Sequence, residues 1–87
     1  MKYELLRLPR AMRQLERLRR THHPRTADII EAIEALAMNP RPPRSEQLTD
    51  RPERRIRVGN QRVLYLVDDT SRTITIVSIA DRREVYR

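Results

Sequence analysis

Apolar positions alternate loosely over "MKYELLRL", with Tyr3, Leu5, Leu6 and Leu8 among polar neighbours, and this predicts a first strand over about residues 2–8. From Pro9 the period changes. Leu8, Ala11, Met12, Leu15 and Leu18 recur at helical spacing, forming one apolar stripe, and Pro9 suits the first turn of that helix. Arg10, Arg13, Gln14, Glu16, Arg17, Arg19 and Arg20 make up its wet, basic face. "THHP" breaks the helix and Pro24 can open a second, in which Ile29, Ile30, Ile33, Leu36 and Ala37 repeat until Asn39-Pro40 stops them. Asp28 lies near the start of that helix, where its dipole favours an anion. Two helices joined by so short a connection predict an antiparallel hairpin.

Residues 40–53, "PRPPRSEQLTDRPE", carry Pro40, Pro42, Pro43 and Pro52 and no large apolar side chain except Leu48, and read as a stiff loop. Beyond it, "RIRV", "QRVLYLV" and "TITIVSIA" are rich in β-branched residues and are separated by "GN" and "DDTSR". The fold class that follows is α+β: strand, helix, helix and then a three-stranded meander. The two-helix hairpin is expected to pack on one face of a small, mostly antiparallel sheet. A length of 87 residues suits one domain, 1–87, with a thin core, since such a chain buries only about 60–65% of its unfolded surface.

A tight turn at Gly59-Asn60 would pair Val58 with Gln61, Arg57 with Arg62, Ile56 with Val63 and Arg55 with Leu64. Alternation then divides the hairpin. Ile56, Val58, Val63, Tyr65 and Val67 share the face that suits the helices, while Arg55, Arg57 and Arg62 share the other with Leu64 and Leu66. Like charges directly opposite one another destabilise a strand pair, a cost that an anion between them would remove.

Charge sharpens this picture. The net charge is +7, and of the 19 Lys and Arg residues only Lys2 is lysine. Arginine offers a planar fork that matches phosphate and carboxylate, so a polyanionic partner is expected, either nucleic acid or a strongly acidic protein. The absence of cysteine rules out disulfides and thiolate metal sites. No apolar run is long enough to span a membrane, and no signal-peptide core stands at the N-terminus, so a cytoplasmic protein is expected. The basic first helix could suit a membrane surface, but its apolar stripe has no bulky aromatic and is needed for the core. The C-terminal "ADRREVYR" adds Arg82, Arg83, Arg87 and Tyr86 just after the last strand, where basic groups can bind phosphate and an aromatic can stack on an unpaired base.

The order of elements, the "NPRPP" loop, "RIRVGNQRVLYLVDD" and the terminal "RREVYR" together resemble the RelE/ParE superfamily of bacterial toxins, most closely its RelE-like branch. The resemblance implies a toxin of a type II toxin-antitoxin system. Its activity would be metal-independent endoribonuclease cleavage of messenger RNA on the ribosome, without cofactor, which inhibits translation. In this reading Arg55 and Arg57 are the basic pair before the turn, and Arg54 and Arg87 extend the RNA-binding set. Arg62 contacts the scissile phosphate, Arg82 or Arg83 aids the leaving group, and Tyr86 stacks on or orients the substrate. A ribose 2′-hydroxyl would attack the adjacent phosphate, with arginines stabilising the developing charge.

Many relatives carry a histidine before the terminal arginines, where this chain has Ala80-Asp81, and many carry tyrosine in place of Gln61. Arginine is a poor general base. The proton acceptor is then Asp81, Tyr86 or a group of the ribosome, and Asp81 equally suits an ion pair with a neighbouring arginine. His22 and His23 read as turn residues far from this site. The resemblance also implies an antitoxin partner, for which an acidic, partly disordered segment would suit the basic surface. A different reading of the same fold is a ParE-like toxin that poisons DNA gyrase and cuts nothing.

Overall fold

The computed structural model describes residues 2–81. In chain order the elements are β1 (Glu4–Arg7), α1 (Pro9–Arg20), α2 (Thr26–Leu36), β2 (Ser45–Gln47), β3 (Arg54–Val58), β4 (Gln61–Asp68) and β5 (Thr73–Asp81). They build two helices and one five-stranded sheet of order β1-β5-β4-β3-β2. Every neighbouring pair is antiparallel except β1 and β5, which run parallel with Glu4 opposite Thr73 and Arg7 opposite Ile76. The α+β plan and the meander are as the apolar pattern predicts.

The core lies between the helices and one face of the sheet. Ala11 of α1 and Ile29, Ala32, Ile33 and Leu36 of α2 meet Ile56, Val58, Val63, Tyr65, Ile74, Ile76 and Ile79. Leu15 and Leu18 pack against this cluster, but Met12, placed on the same stripe by its spacing, is 57% exposed. It stands at the margin of an apolar arc too wide for the sheet to cover.

Helix α1 ends in a Schellman motif with histidine where glycine is usual. His22 N–H donates to the Arg19 carbonyl and His23 N–H to that of Leu18, and His22 takes a φ of 53°. Pro24 does not open α2. It lies in the turn, and Thr26 starts the helix with both its N–H and its hydroxyl bonded to the His23 carbonyl.

The proline-rich segment is not all loop. Ser45–Gln47 forms β2, paired with the outer edge of β3 so that Glu46 faces Arg55. Serine, glutamate and glutamine have little β propensity of their own, so this strand exists because β3 offers unpaired backbone groups. The buried Tyr65 hydroxyl donates to the Pro40 carbonyl at 2.8 Å, tying the start of the segment to the core. Among the described residues, no helix is long and apolar enough to cross a membrane.

Candidate functional site

The β3–β4 turn has Gly59 at a φ of 62°, and Asn60 is not among the residues of positive φ. This is the type II′ pattern, with glycine at the first central position. The positive φ favours glycine there; a Cβ would stand 2.7 Å from Nε of the exposed Arg25, whose side chain could move aside. The turn sets the ladder Val58–Gln61, Arg57–Arg62, Ile56–Val63, Arg55–Leu64 and Arg54–Tyr65. Directly opposed residues share a face, so Arg55, Arg57 and Arg62 come together on the side away from the helices, as the alternation predicts.

Their surroundings differ. Arg57 is exposed, whereas Arg62 is only 8% exposed. Arg55 is not an open cation: its Nη2 bonds Glu46 Oε2 at 2.9 Å across the β2–β3 pair. Glu46 escapes a reading of the sequence because its segment reads as loop. Beside the arginines, Leu64 and Ala80 are buried with Leu48 and Val77 packed against them. Val77 is the extra residue where the β4–β5 register shifts, since Leu64 faces Ser78 and Tyr65 faces Ile76.

Two predicted site residues do not join this face. Arg54 pairs with Tyr65 and so belongs to the helix side, where its Nη2 donates to Ser45 Oγ at 2.9 Å. Strict alternation from Arg55 would have placed it there. Asp81 is opposite Gln61, one step out of phase with Arg62, which faces Ala80. It lines a cleft of about 310 Å³ with Gln14, Arg17, Leu18, His23 and Gln61. His23 is therefore close to Asp81, not remote from it, because the Schellman turn folds it back over Leu18; its Nδ1 accepts the Arg25 N–H. Arg82, Arg83, Tyr86 and Arg87 lie outside the described residues.

At the other end of the sheet Asp69 ties three segments together. Its carboxylate receives both Nη groups of Arg41, at 3.2 and 2.9 Å, and the Tyr3 hydroxyl at 2.6 Å. The Arg41 hydrogen bond, and then that of Tyr3, hold the Asp69 carboxyl below its ordinary range. The same contact with Asp69 raises Arg41, and it raises Tyr3 by favouring its protonated form. The Arg72 guanidinium stands 5.9 Å from the Tyr3 ring centre.

The fold has counterparts among solved structures. The toxin-antitoxin complex RelBE2 of Mycobacterium tuberculosis contains a chain 27% identical in sequence, covering 94% of this chain and 100% of that one, with a TM-score of 0.75. The archaeal RelE-RelB complex of Pyrococcus horikoshii OT3 matches at 23% identity, with 98% of this chain and 100% of that one covered and a TM-score of 0.72. The isolated RelE toxin of E. coli shares the fold at 19% identity, with 97% of this chain and 90% of that one covered and a TM-score of 0.76. Among curated proteins, none matches the sequence. The family described as the ParE toxin of type II toxin-antitoxin system, parDE, matches residues 5–86. The chain therefore belongs to the ParE toxin family, within the RelE/ParE superfamily of type II toxin-antitoxin toxins.

Proposed function

We propose that this toxin is a metal-independent endoribonuclease that cuts messenger RNA on the ribosome. The observation that supports it is the meeting of Arg57 and Arg62 on one sheet face, one open to solvent and one held within the sheet. Arg57 meets the incoming backbone, and Arg62 stabilises charge on the phosphate as the 2′-oxygen attacks and the 5′-oxygen leaves. Arg55, anchored to Glu46, gives the strand a second cation at the same face. Arg82 or Arg83 assists the leaving oxygen and Tyr86 positions the base, roles carried from the resemblance. Asp81 faces the helix side, so the 2′-proton goes to Tyr86 or to a ribosomal group.

An antitoxin with an acidic segment neutralises the toxin in the cell, as the relatives bound to their RelB partners suggest. The exposed Arg57 suits such a partner.

The test is primer extension on messenger RNA after brief induction, comparing wild type with Arg62→Ala. New ends within translated codons, lost in the variant, are expected. Growth arrest with intact messages would reject cleavage. The family match to ParE toxins favours, as second reading, a gyrase poison, for which that arrest would come with DNA damage and filamentation.

A further inference from the structure

The outer face of α1 carries a second concentration of charge that the cleavage reading does not use. Arg10, Arg13, Arg17 and Arg20 stand at i, i+3, i+7 and i+10 of the 12-residue helix, a single stripe about 15 Å long. With Gln14 they line a shallow hollow of about 340 Å³. Among the described residues, no carboxylate lies within ion-pairing distance of Arg10, Arg13 or Arg20; Glu16, the one acid of the helix, reaches Arg19 instead.

Helix stability does not account for this arrangement. Neighbours along the stripe repel, and Arg10 and Arg13 stand near the N-terminal end, where the helix dipole disfavours cations. The first turn holds no acid to offset them. A general arginine bias does not account for it either. Helix α2 carries Asp28, Glu31 and Glu34 and no Lys or Arg at all between Thr26 and Leu36. Basic charge is gathered on one helix and absent from its neighbour.

We propose that the α1 stripe is a second polyanion-binding surface, taking the phosphodiester backbone of a nucleic-acid duplex without reading its sequence. Backbone binding needs only a row of cations, and its strength comes from counterion release. A protein partner would need an apolar anchor as well. The apolar exposed residues of this region, Leu8 and Met12, lie round the helix from the stripe, so the stripe supplies charge alone. The proposal does not depend on the toxin cutting RNA, because duplex binding is read without cleavage.

The test uses the full chain and a labelled 20-base-pair duplex, as RNA and as DNA of the same sequence, with anisotropy read across a salt series. The triple variant Arg10→Gln, Arg13→Gln, Arg20→Gln leaves Arg17 in place. It should bind at least tenfold more weakly at 0.1 M salt, with a log–log salt slope shallower by about 2 to 3. Its thermal midpoint by circular dichroism should stay level or rise, which separates lost binding from lost folding. Arg57→Gln should change the slope by no more than about 1. A deficit confined to RNA would assign the surface to RNA, and one seen with both duplexes would assign it to phosphodiesters in general. Triple-variant binding equal to wild type in affinity and slope would overturn the proposal. So would a deficit seen only with a poly-glutamate peptide, which would make the stripe a protein contact.

Discussion

Arg62 on β4 stands directly across the ladder from Arg57 on β3, and the two guanidinium groups live in different settings: Arg62 is 8% exposed, while Arg57 is open to solvent. The pair costs stability, since like charges facing across strands repel by about 0.2–1 kcal/mol. Arg57→Gln should recover that energy and raise the denaturation midpoint while weakening toxicity. A midpoint that stays level or falls would show that the repulsion is absent, and urea titration of the two proteins side by side decides it.

Tyr65 sits at the centre of the core, and its hydroxyl is committed to the Pro40 carbonyl. Tyr65→Phe keeps the ring and strands that carbonyl, at a cost of about 1–3 kcal/mol. The loss should appear in thermal unfolding. Hydrogen exchange should also quicken in residues 40–47, because β2 follows from this anchor; unchanged exchange there would detach the loop from Tyr65.

His22 occupies a left-handed conformation that costs a non-glycine residue about 1–2 kcal/mol. Its N–H bond to Arg19 is a backbone contact that glycine retains. His22→Gly should therefore raise stability by up to about 1 kcal/mol, less the added freedom of the unfolded chain. A destabilised variant would mean that the imidazole makes a contact worth more than the strain.

The Asp69 clasp should show itself through pH. Its carboxyl is held below the ordinary value of 3.8, chiefly by Arg41 and then by Tyr3. That stabilisation is present above the unfolded carboxyl's value and is lost as pH falls through the lower folded one. Asp69→Asn should lower the thermal midpoint at neutral pH, and the gap from wild type should close as both are taken below 3.8. Tyr3 acts at the other end. Its raised value keeps its contribution intact below 10.0 and removes it as pH rises through the folded value, so Tyr3→Phe should lower the midpoint at neutral pH and converge with wild type only in alkali. Parallel curves across the whole range would show that the clasp is not coupled to folding.

Much of this was legible in the chain itself. The hairpin register could be read because Gly59-Asn60 permits a two-residue turn and because Ile56, Val58, Val63 and Tyr65 alternate with polar or arginine positions. Strand β2 could not, since Ser45, Glu46 and Gln47 take their conformation from the edge of β3. Its partner Glu46, and with it the ion pair that holds Arg55, was hidden for the same reason. The burial of Arg62 depends on long-range packing near Leu48, Leu64 and Ala80, which no local pattern encodes. Asp81 and His23 come together only through the turn after α1, so the cleft between them was out of reach as well.

The parallel pairing of β1 with β5 also orders events in time. Glu4 meets Thr73, so the first strand made must wait for the last. At synthesis rates of 5–20 residues per second that interval is roughly 3 to 14 seconds. During it, the apolar stripes of α1 and α2 have only part of the sheet to cover them, because Ile74, Ile76 and Ile79 of β5 complete the core. Closing contacts so distant in sequence are slow to form. The growing chain thus passes through an interval with its core incomplete before its arginine face is braced on both sides.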